Sequence, residues 1–147
     1  MPRYRLDIEY DGTPFVGWQI QAAGQSVQGT LREAVHKLSG EWIEVRGAGR
    51  TDAGVHALGQ VAHITIAKTF PPHVVREALN FHVKPAPIAV TEAREVDATF
   101  DARFSALARH YLYRILVRRA PPALAKHRVW WSSRSLDAAA MNDAAQV

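Results

Sequence analysis

The chain has 147 residues, 48% of them hydrophobic and 22% charged. That balance excludes disordered and collagen-like polymers and suffices for one core of ordinary domain size. It has no cysteine, which removes a disulfide framework and thiolate catalysis, and no apolar run approaches the roughly 18 residues of a membrane helix. The formal net charge of +4 is unevenly carried: residues 1–100 hold ten basic and eleven acidic side chains, residues 101–147 eight basic and three acidic.

The chain opens directly on polar–apolar alternation with no signal-peptide pattern, so a cytoplasmic protein is expected. In residues 3–10, Tyr4, Leu6, Ile8 and Tyr10 share one face and Arg3, Arg5, Asp7 and Glu9 the other, which predicts a half-buried strand. Asp11-Gly12 ends it, and residues 12–25 read as a long loop of Gly, Pro and aromatics. Ser26 is placed to N-cap a helix over about 27–39, with Val27, Leu31, Ala34, Val35 and Leu38 on one face and Gly40 as its stop. Trp42, Ile43 and Val45 predict a short strand, followed by a glycine-dense loop from Gly47 to Gly54 and a strand over 58–67. Pro71-Pro72 suits the first turn of a helix with Val74, Val75, Ala78 and Leu79 inward. Residues 87–96 predict a strand. Residues 106–118 predict the longest one, setting Leu107, Tyr111, Tyr113, Ile115 and Val117 against His110, Leu112, Arg114 and Arg118. From Ser135 a helical run begins, with Leu136, Ala140, Met141 and Ala144 spaced for burial. It stops at Val147 inside its own apolar pattern, and further chain is expected there.

The order β-α-β-β-α-β is the split βαβ pattern. It predicts an α+β, ferredoxin-like (RRM-like) fold: an antiparallel sheet with helices on one face, plus an extra long strand.

Two stretches carry chemistry. The first is Ala48-Gly49-Arg50-Thr51-Asp52-Ala53-Gly54-Val55-His56, whose small residues permit tight turns and close ligand approach. Its one acid, Asp52, has Arg50 two residues away, which suits either phosphate binding or keeping Asp52 ionised. Such a carboxylate serves as nucleophile or base; an Asp in a turn more commonly bonds its own backbone, and the loop alone admits both. The dinucleotide fingerprint, the Walker A loop, zinc-ligand spacing such as HExxH and Gly-x-Ser-x-Gly are all absent, so none of those four chemistries has support in the sequence. His63 reads as a core or sheet-face residue.

The second stretch runs from Phe100 to Arg119. From Arg103 to Arg134 there are eight basic residues and no acid. Aromatics on a sheet among arginines bind single-stranded RNA by stacking and phosphate pairing. Tyr111 and Tyr113 fit that description; because they share a strand face, ordinary core packing fits both as well, with one of them lining a cleft at the sheet edge as the alternative, and Trp130-Trp131 read as core.

Together these stretches resemble the N-terminal half of the tRNA pseudouridine synthase A (TruA) family. The resemblance rests on Ile8-Glu9-Tyr10-Asp11-Gly12, Gly17-Trp18-Gln19-x-Gln21, Ser26-Val27-Gln28, the loop Ala48 to His56, Gly59-Gln60-Val61, Phe100-Asp101-Ala102-Arg103-Phe104-Ser105-Ala106 and Arg109-x-Tyr111-x-Tyr113. It implies isomerisation of uridine to pseudouridine at positions 38, 39 and 40 of the tRNA anticodon stem–loop, without cofactor or metal. Asp52 matches the catalytic aspartate, acting on a flipped nucleotide by covalent attack or by sugar deprotonation. Arg50 matches a residue that helps flip the base, and Tyr111 the tyrosine that packs against it; Tyr113 is then expected in the core. Gln19, Arg103 and Arg109 lie in matching segments and are candidate RNA contacts. The resemblance further implies residues 1–134 as a half-domain, 135–147 as the start of a linker helix to a C-terminal half that closes the cleft, and a homodimer for the complete protein. A non-catalytic RNA-binding module, or an inactive fragment, is the alternative.

Overall fold

The computed structural model describes residues 1–146. The chain packs as two units, Met1–Arg109 and the residues from His110 on. The first unit contains β1 (Arg3–Tyr10), α1 (Val27–Ser39), β2 (Arg46–Gly47), β3 (Ala57–Thr65), α2 (Pro72–His82) and β4 (Ile88–Val96). Its sheet has the order β2-β3-β1-β4, with every neighbouring pair antiparallel. This is the arrangement expected of a split βαβ unit.

The alternation of β1 builds the core. Tyr4, Leu6 and Ile8 are fully buried, with Val27, Leu31, Ala34 and Val35 of α1 and Val75 and Leu79 of α2 in the same cluster. Both helices therefore cover one sheet face, and each fully buried Val, Leu or Ile among these adds roughly 1.5–3 kcal/mol on burial. The helix ends follow from local chemistry. The Ser26 hydroxyl accepts the Gly29 N–H, and Gly40 closes α1 in the left-handed conformation at φ 81°. Pro72 opens α2, where a missing N–H costs nothing.

The opposite face carries the charges. Along β1 Arg5 pairs with Asp7 at 2.8 Å, and along β4 Arg94 pairs with Glu92. Residues 97–105 fold over one end of this face. Arg3 Nη1 donates to the Phe100 carbonyl at 2.6 Å, the Ala102 N–H donates to His63 Nδ1 at 3.1 Å, and Arg46 meets Asp101 at 3.4 Å. His63 is buried beneath this cover, as a sheet-face residue.

Several expectations are corrected. No strand forms over Trp42–Val45; the strand lies just beyond, at Arg46–Gly47. Trp42 instead stacks on His36 of α1 at 4.0 Å, with the Arg32 guanidinium 5.1 Å from its ring, which holds the segment along the helix and out of the ladder. The long strand expected over 106–118 is confined to β5 (Ile115–Val117), which pairs in parallel with β6 (Trp130–Ser132) in a separate two-stranded sheet. Residues 106–114 have the alternation of a strand but no ladder; alternation specifies faces, whereas a strand also needs a neighbour for its N–H and C=O groups. Consequently Tyr113 is exposed rather than core, as are Trp130 and Trp131. The last helix, α3 (Ala138–Ala144), begins at Asp137 rather than Ser135, because the Asp137 carboxylate accepts the Ala140 N–H. None of its residues is buried, so Leu136, Ala140, Met141 and Ala144 cover no core among the described residues.

Candidate active site

The loop between β2 and β3 is pinned along most of its length. The Ala48 N–H donates to the Val61 carbonyl at 2.7 Å, and Gln60 Nε2 donates to the Gly49 carbonyl at 2.8 Å. The Trp18 N–H donates to the Thr51 carbonyl at 2.9 Å, and the Thr51 and Tyr10 hydroxyls share a 2.7 Å hydrogen bond. Burial pushes the Tyr10 phenol up, against hydrogen bonds from Thr51 and Gln60 that pull it down; Tyr10 thus stays a neutral hydroxyl. On the far side the Gly12 N–H donates to His56 Nδ1 at 3.0 Å.

Two glycines let the supporting segment approach. Gly17 has φ +117°, and a Cβ there would lie 2.7 Å from the Thr51 carbonyl oxygen. A Cβ at Gly47 would lie 2.6 Å from the buried Trp18 ring. The Gly-rich, aromatic segment 12–18 is thereby the floor under the loop.

Asp52 stands exposed at the crest of a turn closed by its backbone carbonyl, which accepts the Val55 N–H at 3.1 Å. The turn is closed without its carboxylate, which makes no hydrogen bond or ion pair among the described residues. Arg50 is exposed on the same loop and forms no ion pair with Asp52. A carboxylate held on a pinned backbone and free of internal partners is available to an incoming ligand. Among the described residues no group of three His, Asp or Glu side chains is placed to hold a metal ion.

The remaining candidates divide. Gln19 is exposed, next to the floor residue Trp18. Arg103 is exposed in the cover segment, next to Phe104, whose ring lies 5.4 Å from the Arg46 guanidinium. Arg109 is exposed, and its guanidinium is bonded to backbone: Nε and Nη2 donate to the Ala48 carbonyl at 3.0 and 2.9 Å, and Nη2 also donates to the Arg103 carbonyl at 2.9 Å. Tyr111 belongs to the second unit, where it is 77% exposed.

Sequence reasoning missed the residues that hold the loop. Tyr10 reads as one more core residue from its place in the alternation. Gln60 lies in a segment that matches the family, Gly59-Gln60-Val61, but nothing local marks its side chain as a partner of the Gly49 carbonyl.

The tRNA pseudouridine synthase family model matches residues 8–105. The tRNA pseudouridine synthase A of Afipia carboxidovorans is 60% identical over 147 residues, which are 100% of this chain and 60% of that protein. The tRNA pseudouridine synthase A of Paramagnetospirillum magneticum is 59% identical over 146 residues, covering 99% of this chain and 57% of the relative. That of Parvibaculum lavamentivorans is 55% identical over 147 residues, covering 100% and 60%. The chain thus spans about 60% of the length of these relatives.

Proposed function

Since the chain belongs to the tRNA pseudouridine synthase family, we infer that it is the catalytic half of an enzyme that isomerises uridine to pseudouridine in tRNA. The substrate positions are 38, 39 and 40 of the anticodon stem–loop, and Asp52 is the group that acts. The observation that carries this reading is the exposed Asp52 carboxylate on a backbone pinned at Ala48, Gly49 and Thr51.

The reaction needs no second reagent. The bond from N1 of the base to C1′ of the sugar breaks, the base turns, and a bond from C5 to C1′ forms. C5 loses a proton and N1 gains one, so atoms and charge balance. Asp52 either attacks C1′ or takes a proton from the sugar; both roles require an ionised carboxylate with an accessible oxygen and a nucleotide turned out of its stack. Flipping costs a few kcal/mol, offset by exposed arginines and by stacking on Tyr111. Arg50, on the same loop, occupies the place of the flipped base, and Gln19 and Arg103 bind the RNA around it. A cytoplasmic location and a homodimeric complete protein belong to the same reading and rest on the resemblance. No helix among the described residues is long and apolar enough to cross a membrane.

The test is Asp52→Asn in the full-length protein. Pseudouridine formation is expected to fall below detection while tRNA affinity changes less than about threefold. Turnover retained in the variant would remove Asp52 from the mechanism. A rate slowed severalfold by deuterium on C2′, the carbon next to C1′, marks deprotonation of the sugar.

A further inference from the structure

We propose that Arg109 is a positioning residue for the Asp52 loop and not an RNA ligand; the inference rests on the reading of Asp52 given above. A guanidinium has five N–H donors in a rigid fork. In Arg109 the Nε hydrogen and one Nη2 hydrogen go to the Ala48 carbonyl, and the other Nη2 hydrogen goes to the Arg103 carbonyl. Only the two Nη1 hydrogens remain. Both edges by which arginine grips a phosphate bidentately include Nη2, so neither is open unless a carbonyl bond is given up.

What these bonds join is specific. Ala48 begins the loop four residues before Asp52, and its N–H is already held by Val61. Its carbonyl is held by Arg109, and the next carbonyl, that of Gly49, by Gln60. The Arg103 carbonyl lies in the cover segment that Arg3, His63 and Arg46 tie to the sheet. One guanidinium therefore fastens the base of the Asp52 loop to a segment anchored elsewhere on the sheet. Misplacing a reacting group by about 1 Å can lower a rate by roughly a hundredfold, so the clamp acts on turnover through Asp52. Lysine has no planar fork and cannot hold two carbonyls in this geometry.

The experiment compares Arg109→Gln and Arg109→Lys with the parent. In the 147-residue chain, amide hydrogen exchange at residues 48–56 is expected to quicken in Arg109→Gln, less so in Arg109→Lys, with β1 unchanged as the control for folding. In the full-length protein, kcat at saturating tRNA is expected to fall roughly ten- to hundredfold in Arg109→Gln. The slope of log affinity against log salt is expected to stay unchanged. A phosphate ligand would show the opposite pattern: unchanged loop exchange, and a slope shallower by about 0.7–0.9. That result overturns the proposal. If the parent protein forms no pseudouridine, the proposed function fails, and loop exchange together with the salt slope still decides what Arg109 holds.

Discussion

At the scale of single residues, the cover over the charged sheet face makes a prediction about acid stability. His63 is buried, and its Nδ1 accepts the Ala102 N–H, which requires a neutral ring. Burial holds its pKa below the ordinary 6.5, helped by Arg3 and Arg46 and opposed by Asp101 and Glu44. Above 6.5 the folded and unfolded rings are both neutral and this contribution is whole. As the pH falls below 6.5 the unfolded chain takes up the proton first, so stability declines until the lowered folded pKa is passed. His63→Gln keeps an acceptor for Ala102 and has no proton to gain. The urea midpoint of the parent is expected to drop more than that of the variant between pH 7.5 and 5.5. Equal drops in the two would show that His63 does not titrate in this way.

At the scale of elements, the Asp52 loop depends on the path of the segment beneath it. Gly17→Ala places a Cβ 2.7 Å from the Thr51 carbonyl oxygen at a φ of +117°, which disfavours any side chain. The expected loss is about 1–3 kcal/mol, with shifted amide resonances at Thr51 and Asp52. Gly59→Ala, at a glycine with nothing within 4 Å of an added Cβ, is the control and is expected to stay within about 0.5 kcal/mol. Equal stability of the two variants in denaturant titrations would mean that segment 12–18 does not press on the loop. The helices, by contrast, are legible without their surroundings. Ser26 and Gly40 mark both ends of α1 in the sequence and cap it in the structure, since each acts on backbone groups within four residues of itself.

At the scale of the whole molecule, the two units differ in how much of their chain is inside. The first unit holds the core cluster around Tyr4, Leu6 and Ile8. In the second, β5 and β6 contribute three residues each and α3 buries none. Amides in β1, β3 and α1 are therefore expected to exchange only through global unfolding, and those of residues 110–114 and 138–144 at least about a hundredfold faster. Uniform protection across both units, read by native-state hydrogen exchange, would contradict this. Leu107, Tyr111 and Tyr113 alternate as strand residues do and are exposed.

What was legible in the sequence is what neighbours along the chain decide. Period-two alternation placed β1, strands were expected close to β3 and β4, caps and breakers bounded α1 and α2, and their order named the split βαβ topology. The loop Ala48 to His56 also declared itself, because its glycines and lone acid are contiguous. Tertiary structure alone decided the rest. It drew Trp42 onto α1, left residues 106–114 without a ladder, bound Tyr10 and Gln60 to the loop, and joined Arg109 to two carbonyls. Each of these depends on groups from 6 to 61 residues apart, and no periodicity or local propensity encodes which distant backbone group a side chain will satisfy.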